Sequence, residues 1–236
     1  VTLPSTVPWV RPAARWIFSP RADEEVVRLL EREVKLSARV CALLAARGFA
    51  GPDAAKLYLR PRLNQLFDPM RMTGVDIAVE RISRALDTGE RILVHGDYDV
   101  DGMCSTTIIT RTLQALGGHA IPFIPHRLTD GYDLTSAGVQ AAKSHGVTLV
   151  ITCDCGTSAL QPVAELKAAG IDTLICDHHL PGGPLPAAVA VLNPRAPNCE
   201  YPDMDLCAAG VVFKLAQALL RARGRSDTFA MRMLDL

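Results

Sequence analysis

Residues 91–102 read Arg-Ile-Leu-Val-His-Gly-Asp-Tyr-Asp-Val-Asp-Gly. A short apolar run, Ile92–Val94, ends in a turn that holds an imidazole (His95), three carboxylates (Asp97, Asp99, Asp101) and two glycines. A stretch of helical spacing follows, Cys104–Leu116. Strand, polar turn and helix in that order open a βαβ unit. The alternation then continues to the end of the chain. Strands are predicted at Ala120–Ile124, Thr148–Thr152, Thr173–Cys176 and Ala188–Leu192, and helices at Thr135–Ser144, Leu160–Ala169 and Ala208–Arg223. The fold class expected is α/β, a mostly parallel sheet flanked by helices.

Upstream the pattern is different. Glu24–Ala46 keeps apolar residues at helical spacing and stops at Gly48, so one long helix is expected there. A second helix should start after Pro52 and Asp53 and run to about Leu59, with Pro61 closing it. Leu63–Thr73 reads as a loop, and Val75–Thr88 as an amphipathic helix ending at Gly89. The organisation expected is a helical N-terminal lead-in over 1–90 and an α/β domain over 91–236.

Composition narrows the class without naming an activity. The chain has 236 residues, 49% apolar and 21% charged, as in ordinary globular enzymes. It has no apolar run long enough to span a bilayer and no secretory leader, so a cytoplasmic location with no membrane partner is expected. Seven cysteines, an odd number scattered through apolar segments, fit reduced thiols better than a disulfide framework. Net charge is zero, which does not announce a nucleic-acid binder. Residues 1–91 hold 15 Lys and Arg against 11 Asp and Glu, whereas residues 92–236 hold 10 against 14. An acidic half that handles phosphate needs bound cations to invert its field.

The placement of the polar residues is more telling. His95, Asp97, Asp99 and Asp101 follow the first predicted strand, Asp154 the third, and Asp177-His178-His179 the fourth. In an open parallel sheet the carboxyl ends of the strands share one edge, and ligands bind there. Several ionised carboxylates brought together repel one another unless a cation joins them. The turn alone could instead be an acidic cap on the next helix. With Asp154 and the histidine pair on the same rim, carboxylate and imidazole donors point to a two-metal site for hard or borderline divalent ions.

These residues resemble the DHH phosphoesterase superfamily, named for the triplet that stands here at 177–179. The match is more particular to its RecJ-type nucleases. It is carried by R-I-L-V-H-G-D-Y-D-V-D-G (91–102), I-P-H-R-L-T-D-G-Y-D-L (124–134), D-C-G-T (154–157), D-H-H-L-P-G (177–182), L-N-P-R (192–195) and A-G-V-V-F-K-L (209–215). In the lead-in, A-R-G-F (46–49) and F-D-P (67–69) also resemble that group. The resemblance implies a 5′ to 3′ exonuclease that hydrolyses single-stranded DNA in repair and recombination, using two divalent cations, Mn2+ or Mg2+. It implies His95, Asp99 and Asp154 around one ion, and Asp101, Asp154 and His178 around the other. It sets His179 against the scissile phosphate, with Asp97 supporting the site or sharing in ligation. Arg127 and His126 would contact phosphate and Asn193 would orient a ligand. A single-strand-binding protein or a helicase is the kind of partner implied.

Two departures stand out. RecJ-type chains usually read Gly-Tyr-Gly where this chain has Gly131-Tyr132-Asp133, which adds a side chain and a negative charge beside the expected phosphate path. The chain also stops at Met233-Leu-Asp-Leu236, before the further metal-binding aspartate and the second domain expected of the group. The readings left beside the exonuclease are a small-nucleotide phosphodiesterase of the same superfamily and an inactive fragment acting as an interaction module.

Overall fold

The computed structural model describes Arg15, Ile17 and residues 20–236. The chain forms two compact units that divide between Leu66 and Phe67.

In the first unit, α1 (Glu24–Val34), α2 (Ala38–Ala46) and α3 (Pro52–Leu59) bury a small core of Leu30, Val34, Cys41, Leu44 and Ala55. The single helix expected over Glu24–Ala46 is thus two. Lys35 takes a left-handed conformation (φ 63°), its N–H closes onto Glu31 O, and Ser37 stands at the N-cap of α2. Apolar periodicity does not register such a break. Leu30 and Val34 of α1 and Cys41 and Leu44 of α2 share one small core, while Leu36, Val40 and Leu43, which extend the pattern, are exposed. The local signal is Ser37, a residue type that favours caps over helix interiors.

The second unit holds α4 (Val75–Asp87), β1 (Arg91–Gly96), α5 (Val100–Ala115), β2 (His119–Phe123), α6 (Ser136–Ser144), β3 (Leu149–Cys153), α7 (Leu160–Ala168), β4 (Asp172–Cys176), β5 (Ala190–Leu192), α8 (Ala208–Ala222) and the short α9 (Thr228–Met231). The boundary expected from the sequence lies at residue 90. Helix α4, on the lead-in side of that line, buries Val75, Ala78, Ile82 and Ala85 in the core of the sheet unit.

All five strands are parallel, in the order β2-β1-β3-β4-β5. Alternate strand residues sort onto two faces. Ile92, Val94, Ile151, Leu174 and Leu192 join the core formed with α4, α5 and α8. Leu93, Val150 and Ile175 join residues of α6 and α7 on the other side. Burial on both faces explains why the strands read as continuous apolar runs. The chain leaves β1 for β2 on one side and returns to β3 on the other, so the order reverses between β1 and β3. The carboxyl ends of those two strands border a crevice at the switch point. Among the described residues no helix is long and apolar enough to cross a membrane.

At the opposite, amino-terminal end of the strands, one buried cation ties three elements together. Arg81 of α4 is 6% exposed; its Nε donates to Asp172 Oδ2 at 2.6 Å and its Nη2 to Glu90 Oε2 at 2.7 Å. Thr148 also donates to Glu90. Removing one partner of a buried pair leaves the other charges uncompensated. Asp172 is half-exposed and keeps Arg84 at 3.6 Å, so Arg81→Ala is expected to cost about 1–3 kcal/mol, read as a lower urea midpoint. A loss under about 1 kcal/mol would show that water replaces the guanidinium without penalty.

Candidate metal centre

Helix α5 begins at Val100, four residues before the predicted start, because Asp99 is its N-cap: Oδ1 accepts from Gly102 N at 3.0 Å. The acidic turn is therefore both a helix cap and part of the rim. It folds back so tightly that a Cβ on Gly102 would lie 2.5 Å from the backbone N and O of Asp97. Only glycine fits there, and the tight turn keeps Asp97 beside the first turn of α5.

Two groups of ligand atoms converge across the crevice. Carboxylate oxygens of Asp97, Asp99 and Asp154 lie within 4.8 Å of one another, and so do ligand atoms of Asp154, His178 and His179. Asp154 belongs to both. It sits just past β3 with φ 64°, a left-handed turn that aspartate tolerates better than most residues. Asp154 Oδ1 is 3.3 Å from His178 Nε2, and Asp101 Oδ2 is 3.5 Å from the same nitrogen.

The donor set fits divalent cations on a specific observation. Asp154 Oδ1 and Asp97 Oδ1 are buried and make no hydrogen bond among the described residues. Two acceptor atoms out of water and without donors are costly unless a cation completes them. The electrostatics agree. Burial, then the neighbouring charges of Asp101 and Asp99, push the Asp154 carboxyl up to about 8. Burial and Asp99 likewise raise Asp97. A divalent ion would reverse both.

The remaining expected residues fall into place unevenly. His95 is fully buried, but it is not among the convergent groups. Its ring is 5.2 Å from that of Phe123, its Nδ1 is 3.5 Å from Cys155 Sγ, and a Cβ on Gly138 of α6 would lie 2.7 Å from its Nε2. Burial lowers its pKa to about 4, so it is neutral, and its Nε2 has no hydrogen-bond partner among the described residues. Asp97, expected to support the site or share in ligation, lies with Asp99 and Asp154. Asp101 faces His178 while its carboxylate accepts from Ala208 N (2.9 Å) and Ala209 N (2.7 Å) at the start of α8. Asn193 is 1% exposed and spends its amide on Thr157 Oγ1 and His179 O, with its Oδ1 taken by Arg195 N. It orients the protein around His179, and the second lone pair of its Oδ1 is what remains for another donor. His126 is exposed; its backbone N–H donates to Asp130 Oδ2 at 2.7 Å, and its Nδ1 lies 3.2 Å from Thr129 Oγ1. Arg127 is exposed, with its guanidinium 5.1 Å from the centroid of the Tyr98 ring.

Sequence reasoning left three residues without a role. Asp177 is buried and accepts from His178 N, His179 N and His179 Nδ1 through Oδ1, and from Thr157 N through Oδ2. Burial would raise its pKa, but the bonds from His179 and Thr157 outweigh that and hold it far below the usual carboxylate range. The same bond to Asp177 lifts His179 to about 9 against the effect of burial. With Nδ1 committed to Asp177 at 2.7 Å, His179 offers only Nε2, which lies 3.1 Å from Tyr132 Oη. Tyr132 in turn meets the Tyr98 ring edge-on at 6.3 Å. Tyr98 and Tyr132 thus join Arg127 to His179, an arrangement that low aromatic content gave no reason to expect.

A protein-family model described as the DHH family, N-terminal domain, matches residues 91–236. The single-stranded-DNA-specific exonuclease RecJ of Bacillus subtilis (strain 168) is 37% identical over 206 residues, 87% of this chain and 26% of that protein. A crystal structure of exonuclease RecJ bound to manganese is 35% identical, with a TM-score of 0.60 over 69% of this chain and 42% of that one. RecJ from Thermus thermophilus in complex with Mn2+ is 28% identical, with a TM-score of 0.67 over 89% of this chain and 30% of that one. The chain spans about a quarter of the length of the B. subtilis relative.

Proposed function

This chain belongs to the DHH family, and from that premise we propose that it is the catalytic portion of a single-strand-specific exodeoxyribonuclease that hydrolyses phosphodiester bonds with two divalent cations, Mn2+ or Mg2+. The observation that carries the reading is the pair of buried, partnerless carboxylate oxygens on Asp97 and Asp154 at the switch point of the sheet. We further propose, on the resemblance to RecJ-type nucleases, 5′ to 3′ polarity, a role in repair and recombination, a cytoplasmic setting, and a single-strand-binding protein or helicase as partner.

Asp97, Asp99 and Asp154 would hold one cation, and Asp154, His178 and Asp101 the other, with Asp154 shared. Bound there, the two ions supply Lewis-acid polarisation of the phosphate and a nucleophilic water at neutral pH. His179, kept cationic by Asp177, carries an Nε2–H that lies 3.1 Å from Tyr132 Oη and is suited to pair with a phosphate oxygen in place of that hydroxyl as charge develops. Arg127 brings a planar guanidinium, which matches phosphate geometry. Asn193 and Asp177 fix His179 from behind.

The test is hydrolysis of a 5′-labelled single-stranded oligonucleotide with Mn2+, beside duplex DNA and a dinucleotide, with and without chelator. Metal-dependent loss of the single strand alone is expected. Hydrolysis confined to the dinucleotide would move the chain to the small-nucleotide branch of the family. Metal binding without any hydrolysis would make it an interaction module.

A further inference from the structure

The loop between β2 and α6 carries Arg127 and Tyr132, and the turn after β3 carries Asp154. One side chain joins them. Asp133 Oδ1 accepts from Gly156 N at 2.6 Å, across the two segments, and from Leu134 N at 2.7 Å. Asp133 has φ 71°, in the left-handed region. A glycine would take that conformation without strain, whereas aspartate incurs a conformational penalty that its side chain must offset. Bonds from backbone N–H groups to a carboxylate are charge-assisted and are among the stronger ones a loop can make.

The residues on either side are both anchored. Tyr132, just before, reaches His179 Nε2; Leu134, just after, is buried in the core beneath α6. The extra charge expected to lie in the phosphate path is instead turned inward, against the Asp154 turn. Gly156, whose amide it takes, has φ 109° and is two residues from the shared carboxylate.

We propose that Asp133 is a positioning residue: its carboxylate latches the Arg127–Tyr132 loop to the turn that carries Asp154, holding the phosphate-binding side of the site in register with the metal side. The proposal rests on the exonuclease reading for its functional consequence, but not for the latch itself. Without the bond, the loop keeps its anchor at Leu134 and loses its tie to the metal turn. The backbone needs no rebuilding, because Asp133→Gly accepts the same φ. Asp133→Asn keeps an acceptor oxygen at the same place.

Amide exchange at Gly156 and hydrolysis kinetics together test this, using the full chain with Mn2+. In Asp133→Gly, Gly156 should exchange at least about tenfold faster. Its KM for a single-stranded oligonucleotide should rise about five- to tenfold with kcat within about twofold, since uniform binding is what is lost. The Mn2+ titration midpoint should stay within about twofold, because no ligand has changed. Asp133→Asn should recover most of the protection and of KM. Unchanged exchange at Gly156 in Asp133→Gly would overturn the latch. Faster exchange with KM unchanged would leave a local tether and overturn the positioning role. If the parent chain hydrolyses nothing, the exonuclease reading fails, while Gly156 exchange and the side-chain nitrogen shifts of His179 still decide whether Asp133 couples the two segments.

Discussion

Replacing Asp154 with asparagine is expected to abolish metal binding and hydrolysis while raising the melting temperature of the metal-free chain. The two effects have opposite signs because the same carboxylate serves the ions and burdens the fold without them. Asp154 is 2% exposed, has a partnerless oxygen, and stands among Asp97, Asp99 and Asp101. Asparagine keeps the shape and removes the charge. Hydrolysis should fall at least about a thousandfold, equivalent to about 4 kcal/mol of transition-state stabilisation. Mn2+ affinity, measured by calorimetry, should weaken by at least about a hundredfold. If the variant bound two ions as tightly as the parent, Asp154 would not be the shared ligand.

The pH dependence gives the same carboxylate a second signature. In the metal-free chain its folded pKa, about 8, lies above the ordinary 3.8. Between those values the folded state holds a proton that the unfolded state has released. Stability therefore falls as pH rises through that interval and levels off above it. Adding Mn2+ should remove the slope, since the ion replaces the proton, and the asparagine variant should lack Asp154's share of it from the start. A metal-free parent equally stable at pH 5 and pH 8 would count against the buried carboxylate cluster.

Much of this site could be read from the order of residues. The carboxyl ends of parallel strands lie on one edge, so locating the strands was enough to bring Asp97, Asp99, Asp101, Asp154 and His178 together. What sequence could not resolve was direction. His95 and Asp97 are two residues apart, which strand alternation alone would put on one face. The packing of Gly138 and Phe123 around the imidazole sets His95 in the layer beneath α6, while Asp97, past the end of β1, lies with Asp99 and Asp154. Asn193 ends a strand, and what the sequence did not show is that both protons of its amide go to Thr157 and His179. Asp133 looked like an intrusion, and its left-handed backbone turns it inward. The break at Lys35 was hidden for another reason: the buried residues of α1 and α2 share one core, and the exposed Leu36, Val40 and Leu43 extend the apolar pattern. Residue type and spacing fix which elements form. The choice among side-chain directions depends on contacts between segments 20 to 60 residues apart, such as Asp133 with Gly156 and His95 with Cys155.

The histidine pair divides by the same logic, and His179→Ala is expected to bind Mn2+ like the parent yet turn over about a hundred- to a thousandfold more slowly. His178 has its Nε2 toward Asp154 and Asp101, whereas His179 has given Nδ1 to Asp177 and is cationic in the metal-free chain, with a pKa of about 9. A protonated imidazole is a poor metal ligand and a good partner for phosphate. Asp177→Asn should separate charge from position. The amide can keep one acceptor in place, but it faces the N–H groups of His178, His179 and Thr157 with a donor on its other arm. About 1–3 kcal/mol of stability should be lost at pH 7 through the group left unsatisfied. The sign with pH follows from the two shifts. His179's share is complete below its ordinary 6.5 and is lost as pH rises through about 9, while Asp177's share is complete above 3.8 and is lost as pH falls toward its depressed value. The gap in urea midpoint between parent and Asp177→Asn should therefore be widest between about pH 4 and 7 and narrow by pH 10. Loss of Mn2+ in His179→Ala would make His179 a ligand, with the bond to Asp177 then orienting a metal-bound ring.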